Sequence, residues 1–90
     1  MSELSKQAAE AMELVAAISP LLAGRDASVQ GAVIADLLAA WLAGHVQLGN
    51  PKQTKKIREQ MLKMHLIHVR ALIDINYKMT VEPQIKAKMQ

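Results

Sequence analysis

Gln30-Gly31-Ala32-Val33-Ile34-Ala35-Asp36-Leu37-Leu38-Ala39-Ala40-Trp41-Leu42-Ala43-Gly44 is the stretch that decides the fold class. Between Gly31 and Gly44 its only polar side chain is Asp36. A helix that is apolar all round is a core helix, buried against neighbours. Ala27, Gly31, Ala35, Ala39 and Ala43 form a ridge of small side chains at four-residue spacing. Ridges of that spacing let a second helix approach closely at a steep crossing angle. Val33, Ile34, Leu37, Leu38, Trp41 and Leu42 cover the rest of the cylinder. The run approaches membrane-spanning length, but the Asp36 carboxylate at its middle costs roughly 2.5–3.5 kcal/mol on insertion scales. No membrane span is expected, and the N-terminus lacks the basic start and apolar stretch of a signal peptide. A cytoplasmic protein is the expectation.

The 90-residue chain agrees with an all-α reading: it is 51% hydrophobic but only 2% aromatic, with Trp41 and Tyr77 and no phenylalanine. The apolar weight lies in Ala, Leu, Ile, Val and Met, mostly helix formers, and Gly and Pro are few. Ninety residues make one small helical domain, 1–90. A chain of this size buries only about 60–65% of the surface its unfolded form exposes. Without cysteine no disulfide compensates, so oligomerisation is the remaining route to a larger core.

Three principal helices are expected, at about 3–18, 27–44 and 51–79, followed by a short C-terminal tail. Ser2 is the expected cap of the first, with Glu3 in its first turn. Leu4, Ala8, Ala11, Val15, Ile18 and Leu22 recur at four- and three-residue steps, a seam like that of a coiled coil. Pro20 should break this helix, and Gly24 suits a turn needing positive φ. Asp26 or Ser28 can cap the second helix, which stops near Gly44. Asn50, Pro51 and Gln53 then supply a cap, a first-turn proline and a third-position glutamine. The third helix has a polar strip (Glu59, Gln60, Lys63, Arg70, Asp74, Lys78) and an apolar arc from Ile57 to Met79 that exceeds half its circumference. A single neighbour needs about 100° of stripe, so this helix should contact two or more.

Four features carry chemical meaning. His65 and His68 lie three apart on one helix face, the spacing for two imidazoles on one metal ion. No acidic cluster or cysteine accompanies them, so the favoured reading is a pair of core or interface histidines, with a metal or pH-sensitive site behind it. Asp36 in its apolar helix must be paired, exposed or neutral, and pairing with Arg25, Arg70 or a histidine is favoured. The net charge of +3 hides an acidic first half and a basic second half, which from Lys52 onward has nine Lys or Arg against Glu59, Asp74 and Glu82. Lys52, Lys55, Lys56 and Arg58 crowd the start of the third helix, where the macrodipole disfavours cations. They are candidates for an anionic partner: nucleic-acid phosphates, a lipid surface or an acidic protein patch, including the acidic first helix of another copy. No aromatics stand ready to stack on bases, and a solvated helix end is favoured. Met61, Met64 and Met79 with Ile57 and Ile75 form an adaptable apolar face.

No Gly-rich phosphate loop exists and no serine is arranged with a histidine and an acid in a catalytic motif, so no enzyme and no cofactor is expected. The stretch from Ser28-Val29-Gln30-Gly31-Ala32-Val33 through Trp41-Leu42-Ala43-Gly44-His45, with His68-Val69-Arg70-Ala71-Leu72-Ile73 and Asn76, resembles short, uncharacterised all-helical proteins of bacterial and prophage genomes. That resemblance implies a virion accessory part or a host-factor-binding protein and brings no activity with it. The expectation is a non-enzymatic helical interaction protein acting as a homodimer or higher homo-oligomer. Its interface would draw on Gly31, Ala35, Ala39, Trp41, Met61, Met64, His65, His68, Leu72 and Ile75. A nucleic-acid-associated protein using Lys52, Lys55, Lys56 and Arg58 is the alternative, and a metal-dependent site at His65 and His68 the third.

Overall fold

A computed structural model describes residues 2–89, and these are all-helical apart from short turns. Helix α1 spans Glu3–Leu22, α2 Ala27–Ala43 and α3 Pro51–Asn76. A π-helical turn follows at Tyr77–Val81 and leads into α4, Glu82–Met89. By its internal contacts the chain divides into two units, Met1–Leu38 and Ala39–Gln90.

In the first unit, the Ser2 hydroxyl accepts from the Ser5 amide at 3.1 Å, which starts α1 as expected. Pro20 does not break the helix: α1 runs through it to Leu22. Pro20 lies in the last turn, where its missing N–H removes a single ladder bond, and the Ala23 amide still reaches the Ser19 carbonyl at 3.0 Å. Gly24 then turns the chain at φ +76°, a conformation that favours glycine. Across this turn Gln30 Nε2 donates to the Leu22 carbonyl at 2.7 Å, which also accepts from the Arg25 amide at 3.1 Å, so this terminal carbonyl of α1 accepts two hydrogen bonds. Asp26 opens α2: its carbonyl accepts from the Gln30 amide, and its Oδ2 accepts from the Ser28 hydroxyl at 2.9 Å.

In the second unit, α2 ends at Ala43 and α3 begins under the Asn50 cap, whose Oδ1 accepts from the Gln53 amide at 3.0 Å. Pro51 occupies the first turn of α3, as its fixed φ and missing donor predict. Beyond Asn76 the sequence suggests an end near Met79 and a tail, but helix continues to Met89. Pro83 explains the intervening π turn. It has no N–H to offer the Met79 carbonyl, and its ring crowds the preceding turn. The ladder widens just before it, with the Glu82 amide donating to the Tyr77 carbonyl five residues back. The Lys86–Glu82 ion pair (3.2 Å) lies along α4.

The expected apolar core is missing from the isolated chain. Among the described residues no hydrophobic side chain is buried, and Thr54 is the one buried residue. On α2, read as a core helix, Ile34 is 55%, Leu37 58% and Trp41 46% exposed. Asp36 is exposed and, among the described residues, makes no ion pair; Lys86–Glu82 is the one such pair. Within the first unit the expected partnership with Arg25 does not form, because a carboxylate in water needs none. No helix among the described residues is long and apolar enough to cross a membrane.

Candidate functional site

The most structured region of the second unit is built where α2 ends. Gly44 follows the helix without adopting positive φ, so the end is not closed by a left-handed glycine. Arg58, one turn beyond Thr54 on α3, closes it instead. Its Nη2 donates to the Ala43 carbonyl at 2.7 Å and its Nε to the His45 carbonyl at 3.2 Å. A guanidinium is well suited to this: it presents several fixed donors and a positive charge to the negative end of a helix. Thr54 ties down the connecting loop. Its hydroxyl accepts from the Gln47 amide at 2.8 Å and donates to the Gln47 carbonyl at 3.1 Å. Gly49, at φ +76°, turns the chain into α3.

Trp41 is held from the same end. The ring of His45 stands edge-on to the indole, centroids 5.3 Å apart. His45 Nδ1 lies 2.7 Å from the Trp41 carbonyl. A carbonyl only accepts, so Nδ1 carries the proton in this bond. His65 of α3 lies against the indole at 5.5 Å, tilted by 50°. Trp41, Gln60, Met61, Met64, His65 and His68 together line an open groove of about 280 Å³. Met61 and His65 are half-buried in it, while Met64 and His68 are exposed.

The structure thus places in one groove five of the expected interface residues: Trp41, the methionines Met61 and Met64, and the pair His65 and His68. It does not gather harder ligands around them, since among the described residues no group of three or more His, Cys, Asp or Glu is placed to hold a metal ion. Within the basic cluster, Lys52, Lys55 and Lys56 are exposed, and among the described residues none makes an ion pair. Arg58 stands apart from them, half-buried and committed to backbone carbonyls. The remaining interface candidates Gly31, Ala35, Ala39, Leu72 and Ile75 are all exposed.

Sequence reasoning missed the roles of Thr54 and Gln60 and the link between Trp41 and His45. The last had a signal, because residues four apart on a helix end are neighbours. Thr54 and Arg58 had none, since their bonds join residues seven to fifteen apart across the α2–α3 loop. No family model, curated protein or solved structure matches this chain.

Proposed function

We propose that this chain is a non-enzymatic, self-associating helical interaction protein whose apolar core forms between copies. The observation that supports this is the complete lack of buried hydrophobic side chains, among the described residues, in a chain that is 51% hydrophobic. Water-exposed apolar surface on this scale marks an interaction face.

The magnitudes are of the size assembly requires. Fully burying a side chain such as Leu or Ile contributes about 1.5–3 kcal/mol. Val29, Val33, Ile34, Leu37 and Trp41 of α2 remain about half exposed, so covering them recovers about 1 kcal/mol each. Two copies of this face then contribute about 10 kcal/mol, within the 4–15 kcal/mol that association costs. The exposed arc of α3, including Leu72, Ile73 and Ile75, adds to that side of the balance. Lys52, Lys55 and Lys56 are available to the acidic α1 of a second copy. The resemblance to prophage-encoded helical proteins points the assembly toward a virion accessory or host-factor-binding role.

Gly31 provides a test whose sign separates chain from assembly. A Cβ built on Gly31 meets no atom within 4 Å, so the single chain accepts a larger residue there. Gly31→Leu should stabilise α2 as an isolated helix by up to about 1 kcal/mol. At a close-packed ridge between copies it should instead force the helices apart. Sedimentation at micromolar concentration should give an oligomer for the unmodified protein and a lower-mass species for Gly31→Leu, with helicity retained by circular dichroism. A monomeric unmodified protein rules the reading out, and a Gly31→Leu variant that assembles as tightly removes the small-residue ridge from the contact and leaves the opposite face of Val33, Leu37 and Trp41 to carry it.

A further inference from the structure

The groove beside Trp41 holds an unusual donor set. Met61, Met64, His65 and His68 follow one another at i, i+3, i+4 and i+7, which places all four within one face of α3. Two turns of such spacing alone would leave an ordinary packing stripe. Here the stripe instead borders an open groove and ends in two kinds of lone pair, thioether sulfur and imidazole nitrogen.

The geometry points to a binding site for a soft monovalent cation of the copper(I) and silver(I) class, held by Met61, Met64 and His65 beside the Trp41 indole. The ligand set follows from reach. At 1.5 Å rise per residue, Met61 and His65 are about 6 Å apart along the axis, within the span of two side chains meeting at one ion. Met61 and His68 are about 10 Å apart, whereas Met64 and His68 repeat the Met61–His65 spacing, so His68 borders the set at its far end. Methionine has three rotatable bonds, which lets two sulfurs converge without moving the helix.

Charge and softness select the ion. Thioethers and imidazole are neutral, so the bound ion keeps its full charge in an open, largely apolar groove. The cost of whatever water it sheds there grows with the square of the charge and is about fourfold higher for a divalent ion. Thioether ligands favour copper(I), whereas magnesium, calcium and manganese require oxygen donors, and no carboxylate lines the groove. Trp41 adds an electron-rich face, the most favourable of the aromatic side chains for a cation. His45 and His65 hold that ring in place from two sides.

Trp41 is the chain's single tryptophan and therefore its own reporter. Silver(I), titrated in chloride-free buffer into the full chain, should be taken up at one equivalent with quenching of tryptophan emission. Met61→Leu and His65→Gln should each weaken uptake about tenfold or more, the scale on which even outer-shell changes act at metal sites. Met79→Leu should leave it within about twofold, since Met79 does not line the groove. Zinc(II) should give no comparable uptake. Absence of silver binding overturns the assignment, as does uptake unaffected by Met61→Leu or matched by zinc(II), which would mark a bare histidine site. Circular dichroism of each variant separates ligand loss from unfolding. Trp41, Met61, Met64 and His65 also belong to the proposed contact between copies, so the titration is paired with sedimentation of the same samples: silver(I) taken up by the dissociated chain supports the site, and no uptake by the dissociated chain overturns it whether or not the copies assemble.

Discussion

Replacing Thr54 by valine removes one hydroxyl and nearly nothing else, which makes it a direct probe of how the α2–α3 loop is held. Thr54 is the one buried residue among those described, at 7% exposure. Its oxygen serves both polar groups of the Gln47 peptide unit, at 2.8 and 3.1 Å. The Gln47 carbonyl keeps a second partner in the Asn50 amide at 3.1 Å, but the Gln47 amide loses its partner. Each hydrogen bond contributes about 1 kcal/mol net, so the closed loop should weaken by about 2 kcal/mol. At 1.4 kcal/mol per factor of ten, local opening becomes about 30-fold more frequent. Hydrogen exchange at the Gln47 amide measures that opening directly. Thr54→Val should exchange about 30-fold faster there, while helix content stays unchanged because α2 and α3 are bonded internally. Thr54→Ser keeps the hydroxyl and should exchange close to the unmodified rate. An exchange rate for Thr54→Val within about threefold of the unmodified protein would refute the reasoning, and so would serine and valine behaving alike.

Two further outcomes are expected. Asn50→Ala removes the acceptor of the Gln53 amide and should cost about 1 kcal/mol, seen as fraying of residues 51–54 in amide exchange while the middle of α3 keeps its protection. Binding to duplex DNA, followed through a salt series, tests the exposed Lys52, Lys55 and Lys56. If they contact phosphates, binding appears at low salt with a slope no steeper than about −3, since Arg58 is held by the Ala43 and His45 carbonyls and three free cations remain. No binding at the lowest salt eliminates phosphate contact by this cluster.

Local determinants of the fold were readable because each acts over a few residues. Ser2, Asn50 and Pro51 mark helix starts by hydrogen bonds or dihedral preferences within one turn, and the structure uses all three that way. Gly24 takes the left-handed conformation its place between two helices implied. The prolines were harder, because their effect depends on where the ladder can give. Pro20 is absorbed in a last turn, and Pro83 by a π turn that keeps the chain helical to Met89.

Fold class, the three principal helices and their main caps were therefore determined by sequence alone, through residue propensity and apolar periodicity. Spacing also put Met61, Met64, His65 and His68 on one face. Only the tertiary structure decided that Trp41 meets that face, that Arg58 closes α2 and is not a free basic residue, and that Thr54 fastens the loop. Those contacts depend on how one loop folds back, which no local pattern encodes. The tertiary structure also decided that Ile34, Leu37 and Trp41, on a helix apolar enough to read as core, are left about half exposed. Hydrophobic pattern dictates that such a surface is costly in water, but not which molecule covers it.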